Sequence, residues 1–111
     1  MKKQLTMVLS FLLVSMFSFA QTKDSTLTEK IKVWGICDMC KTKIEKAAKA
    51  AGAATADWND ESKVLNVTYS ATKSNNKKIQ QKVADAGYDT QDLRTTDAAF
   101  NKLPGCCKYD R

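Results

Sequence analysis

The sequence predicts an α+β fold: a ferredoxin-like β-α-β-β-α-β sandwich with a short C-terminal helical extension. Three observations predict it. A short alternating stretch runs straight into an amphipathic helical one. Two further alternating stretches are separated only by Asn59-Asp60-Glu61-Ser62. A second helical stretch then closes on a glycine.

Taken in order, Ile31 and Val33 alternate with Lys32 and Trp34 as a first strand. A helix over Met39–Ala51 puts Cys40, Ile44, Ala47, Ala48 and Ala51 on one face and Lys41, Lys43, Lys46 and Lys49 on the rest. Gly52 is its stop. Ala54–Trp58 and Lys63–Tyr69 form a hairpin, with Leu65, Val67 and Tyr69 alternating against Val64, Asn66 and Thr68. Ser74 is the expected N-cap of a second helix, whose buried face is Ile79, Val83 and Ala86 and whose end is Gly87. Tyr88–Arg94 is the remaining strand, with poor alternation. Two helices would then cover one face of a four-stranded antiparallel sheet. Beyond it, Thr96 caps a short helix carrying Phe100 and Leu103. Pro104-Gly105 breaks that helix and leaves Cys106-Cys107 on a turn.

The 111 residues divide into four parts. Residues 1–20 read as a secretory signal peptide. Lys2 and Lys3 precede an uncharged apolar run, which ends in the small-x-small sequence Ser18-Phe19-Ala20. The run is shorter than the roughly 20 residues a spanning helix needs, so no stable membrane insertion is expected after cleavage. This places the protein outside the cytoplasm, in the periplasm if the cell is Gram-negative. Residues 21–28 read as a polar leader, 29–94 as the folded domain, and 95–111 as a Cys-Cys tail. Without Lys2 and Lys3 there are 16 basic and 12 acidic residues, a net charge of +4. The lysines are spread out, with no arginine cluster or basic-aromatic ladder, which argues against nucleic acid as a partner. The lysine face of the first helix serves solubility or steers an acidic partner.

Four cysteines and no histidine define the available chemistry. The commonest general base and the commonest nitrogen ligand are both missing, so a metal site here must rest on sulfur. Cys37 leaves the first strand and Cys40 enters the first helix. There the unpaired amides and partial positive charge of a helix N-terminus favour thiolate over thiol. Lys41 and Lys43 add positive potential. A thiolate pair in this position can grip a soft ion. Cu(I) and Hg(II) accept two sulfurs, whereas Zn(II) prefers four ligands and is disfavoured. Cys-x-x-Cys also occurs in thiol-disulfide oxidoreductases and in disulfide-stapled interaction domains, and both remain as alternatives. A redox enzyme of the thioredoxin kind would need a crossover where this chain has a hairpin. Cys106 and Cys107 can close a vicinal disulfide, bridge to Cys37 and Cys40, or add thiolates to the metal site.

The segment Ile31 to Tyr88 resembles a heavy-metal-associated domain, the fold of copper chaperones and periplasmic mercury-binding proteins. Val33, Gly35, Cys37 and Cys40 carry the likeness, with the helix Ile44-Glu45-Lys46-Ala47, Val67 and Tyr69 in the hairpin, and Ala86-Gly87-Tyr88 after the second helix. The resemblance implies that Cys37 and Cys40 bind the metal. It implies transfer to a metal-transporting or metal-accepting protein, with no catalysis. Tyr88 falls in the loop that faces the metal in this family, where it either supports the site or serves as a core aromatic. The family pattern Gly-Met-x-Cys-x-x-Cys is one residue shorter here, and Ile36 or Trp34 is expected to plug the space of the missing methionine.

Overall fold

The computed structural model describes residues 25–111; the expected signal peptide and the first half of the expected leader, residues 21–24, lie outside the described residues. Strand β1 (Thr26–Lys32) and strand β2 (Thr55–Asn59) flank β3 (Val64–Ser70), and both pairings are antiparallel. β1 runs in register from Thr26 opposite Ser70 to Lys32 opposite Val64. It therefore begins inside the stretch read as a leader. Thr26, Leu27 and Thr28 are exposed, so no apolar alternation marks them, and the backbone ladder to β3 holds them instead.

Helix α1 (Asp38–Ala50) connects β1 to β2, and α2 (Asn76–Asp85) follows β3. The α1 face is as the sequence predicts: Cys40, Ile44 and Ala48 are fully buried, with Ala47 and Ala51 packed beside them. In β3, Leu65, Val67 and Tyr69 point into the core. They meet Ile31, Val33, Trp58, Ile79, Val83 and Tyr88 there. Each such aliphatic side chain contributes about 1.5–3 kcal/mol through burial. The α2 cap differs from the expected one. Asn75 accepts the Lys78 amide at 2.8 Å. Ser74 instead donates to the Ala51 carbonyl at 2.7 Å, tying the end of α1 to the start of α2.

The expected fourth strand is reduced to a single bridge between Val33 and Thr90. Two backbone hydrogen bonds flank it, Trp34 N to Asp89 O at 3.0 Å and Gln91 N to Lys32 O at 2.9 Å. The reason is local. The Thr90 amide turns back to the Leu93 carbonyl at 2.8 Å, and its hydroxyl donates to Gln80 Oε1 at 2.7 Å, so the chain bends before a second rung can form.

The tail is part of the fold. Thr96 caps helix α3 (Asp97–Asn101) by accepting the Ala99 amide at 3.1 Å. After Pro104 a 3₁₀ turn, Gly105–Cys107, brings the chain back beside the start of α1. Leu103, Cys107 and Tyr109 are buried. Arg111 finishes the wrap by bonding Asp89, Asp97 and the Thr95 carbonyl.

Candidate metal centre

Cys37 is the N-cap residue of α1, in extended conformation at φ −140° and ψ 177°. Its side chain makes no capping bond, so its sulfur is free to face Cys40 one turn on. The two Sγ atoms are 3.7 Å apart. Cys40 is fully buried and Cys37 partly so.

The tail completes the cluster. Cys107 Sγ joins Cys37 and Cys40, with all three sulfurs within 4.8 Å of one another. This is the one such group of three ligands among the described residues. Cys106 points outward, its Sγ 3.7 Å from Met39 Sδ and 4.0 Å from Cys107 Sγ. All four thiols are free. The turn docks through its backbone as well: the Cys37 thiol faces the Cys106 carbonyl at 3.5 Å, and the Cys40 thiol faces the Cys107 carbonyl at 3.9 Å.

Charge is shared unequally among these sulfurs. Burial works against a Cys40 thiolate, but hydrogen bonds from the backbone at Ile36 and Cys37 outweigh it, with help from the Cys107 thiol. The thiol is held below its ordinary value. For Cys107, burial and then the neighbouring Cys40 push the thiol up to about 12. Of the two, Cys40 gives up its proton more readily than Cys107. Tyr88 is fully buried, and its hydroxyl finds no partner with hydrogen-bonding geometry. Burial, followed by the neighbouring Cys40 sulfur, drives it far above the usual phenol range, so it stays a donor beside the sulfurs.

Several contributors are not visible in the motif. Trp58 lies under the loop and donates from Nε1 to the Val33 carbonyl at 3.0 Å. A Cβ on Gly35 would come within 3.0 Å of its ring. This corrects the expectation for the shortened loop: Trp34 and Ile36 are 39% and 45% exposed, and the indole packed against Gly35 comes from β2. Lys63, at φ 63° in the hairpin turn, donates to the Gly35 carbonyl at 2.8 Å. Lys41 is also corrected. Its ammonium turns away to Glu45 Oε2 at 2.5 Å, Asp57 Oδ1 at 2.6 Å and the Trp58 carbonyl at 2.9 Å. Its charge is spent on joining α1 to β2.

Among known structures the chain is similar to the CopZ metallochaperone. The two are 30% identical over 58% of this chain and 98% of that one, with a TM-score of 0.55. The chain belongs to the heavy-metal-associated domain family. It is similar in the same way to oxidised MerP from Ralstonia metallidurans CH34: 29% identity, 60% of this chain, 96% of that one, TM-score 0.57. The water-soluble region of the P-type ATPase CopA from Bacillus subtilis matches at 28% identity and TM-score 0.55, over 60% of this chain and 46% of that one. Neither a family model nor a curated protein matches the sequence. As a heavy-metal-associated domain, the chain holds its Cys-x-x-Cys pair at the junction of the first strand and helix, with its own tail folded over the site.

Proposed function

We propose that the protein binds a soft metal ion, Cu(I) or Hg(II), through the thiolates of Cys37 and Cys40 and passes it to an acceptor protein. The observation that carries this reading is the pair of free sulfurs 3.7 Å apart at a helix N-terminus. No histidine occurs anywhere in the chain to harden that donor set. The relatives support it, since their names describe a metallochaperone and the soluble region of a P-type ATPase. Transfer proceeds by ligand exchange: an incoming thiolate forms a new metal–sulfur bond as one to Cys37 or Cys40 breaks. No catalytic group is needed. Exposed Trp34, Ile36 and Met39 rim the loop and offer an apolar contact for the acceptor. The apolar run in residues 1–20 supports export, so the ion is met outside the cytoplasm.

Anaerobic titration of the reduced protein with Cu(I) or Hg(II), read by native mass spectrometry, tests this. One ion per chain is expected, and it should be lost in Cys37→Ser/Cys40→Ser. Uptake that survives the double substitution would sink the assignment. Catalysed reduction of insulin without metal affinity would favour an oxidoreductase instead.

A further inference from the structure

We propose that Cys107 is a third sulfur ligand, so that the ion is held by three thiolates and the tail turn competes with any partner for it. The inference rests on metal binding at Cys37 and Cys40 and specifies how the ion is retained there.

The spacing of the sulfurs comes first. With metal–sulfur bonds of about 2.3 Å, two thiolates in line stand about 4.6 Å apart, while three in a plane stand about 4.0 Å apart. Cys37 and Cys40 are 3.7 Å apart. Linear coordination would force them apart by far more than planar three-coordination would. Cys107 Sγ already sits within 4.8 Å of both.

The sulfur is also held in place. Cys107 is fully buried, and its 3₁₀ turn is braced by buried Leu103 before it and Tyr109 after it. Of two adjacent cysteines on such a turn only one can face inward, and it is Cys107; Cys106 lies outside against Met39. A second, independent sign is the Tyr88 hydroxyl, buried and unpaired beside Cys40 and Cys107. An unpaired buried donor is costly, and a metal-bound thiolate with spare lone pairs would satisfy it.

Release then requires displacement. The metal–Cys107 bond breaks and its sulfur takes up a proton, while a partner thiol gives up a proton and forms the replacement bond. No oxidation occurs. Met39 Sδ and Cys106 Sγ lie on the outer side of Cys107, where the incoming thiolate would approach.

The test is a sulfur count. The full chain, reduced and loaded anaerobically with one equivalent of Hg(II) or Cu(I), is examined by X-ray absorption at the metal edge. Three sulfurs are expected for the unmodified protein and for Cys106→Ser, and two for Cys107→Ser. Circular dichroism checks that each variant is folded, and the unmodified protein decides the matter even if Cys107→Ser is not. Affinity measured against a competing chelator should fall at least about tenfold in Cys107→Ser, since groups that merely support a ligand are worth about 10- to 100-fold. Two sulfurs in the unmodified protein, or three retained in Cys107→Ser, would overturn the proposal. Failure of the unmodified protein to take up any ion would instead overturn the binding reading beneath it, and this proposal with it.

Discussion

Tyr109 lies against Tyr88, with ring centroids 5.9 Å apart and planes 19° from parallel. The Tyr109 hydroxyl donates to the Gly87 carbonyl at 3.0 Å and accepts the Asp89 amide at 2.8 Å. Phe100 meets the same ring edge-on at 5.0 Å. One tail residue therefore fixes both the turn that carries Cys107 and the tyrosine beside the sulfurs.

Tyr109→Ala should cost about 3–5 kcal/mol, as large aromatic truncations in cores do. Tyr109→Phe should cost about 1–3 kcal/mol, because the Asp89 amide loses its buried acceptor. Urea unfolding measures both. A midpoint unchanged in Tyr109→Ala would mean that the tail is an appendage and not part of the domain.

Most of this fold could be read from residue patterns. β3 declares itself through Leu65, Val67 and Tyr69, and α1 through Cys40, Ile44 and Ala48, because one face of each is buried against a single core. The bend that ends the fourth strand could not be read, since it depends on Gln80 reaching Thr90 and Asp92 from another element. The site divides the same way. Cys37 and Cys40 are legible as a spaced pair at a helix start. That Cys107 turns inward and Cys106 outward depends on where the tail docks, and neighbours in sequence carry no sign of it. Trp58 is equally hidden: its role under Gly35 comes from a strand packing across the loop.

Gly35→Ala tests that packing. The added Cβ would lie 3.0 and 3.1 Å from two Trp58 ring atoms and 3.2 Å from Ile44 Cδ1. The indole is held by its bond to Val33 and cannot easily yield. Overpacking of this kind costs about 1–3 kcal/mol. The substitution should lower the unfolding midpoint and weaken metal affinity together, because Gly35 sits two residues before Cys37. Full stability with intact affinity would show that the loop has slack.

Asp89 gives the protein a predictable acid response. Burial opposes its charge, but the Arg111 guanidinium and the Thr95 amide outweigh burial and hold the carboxyl below its usual range. A carboxylate depressed in the folded state stabilises above its unfolded pKa of about 3.9, and that stabilisation is lost as pH falls through the lower folded value. The stability difference between the unmodified protein and Arg111→Gln should be constant near neutrality and shrink below about pH 4. Chemical denaturation at a series of pH values measures it. A difference that grew as the pH fell would contradict the assignment.

Lys41 and Lys43 look interchangeable in sequence, but the structure separates them. Lys41 bridges Glu45, Asp57 and the Trp58 carbonyl, and the two carboxylates raise its ammonium to about 12. Lys43 is exposed. Each change to methionine removes one positive charge, so a difference between the two variants cannot come from net charge. Lys41→Met should lower the Tm, because Glu45 and Asp57 lose the cation that joins them across α1 and β2. Lys43→Met should leave the Tm unchanged. The Lys41→Met loss should shrink in high salt, where screening already weakens the exposed Asp57 arm of the bridge. Calorimetry of the two variants at low and high salt checks this. Equal Tm values at low salt would show that the bridge holds nothing.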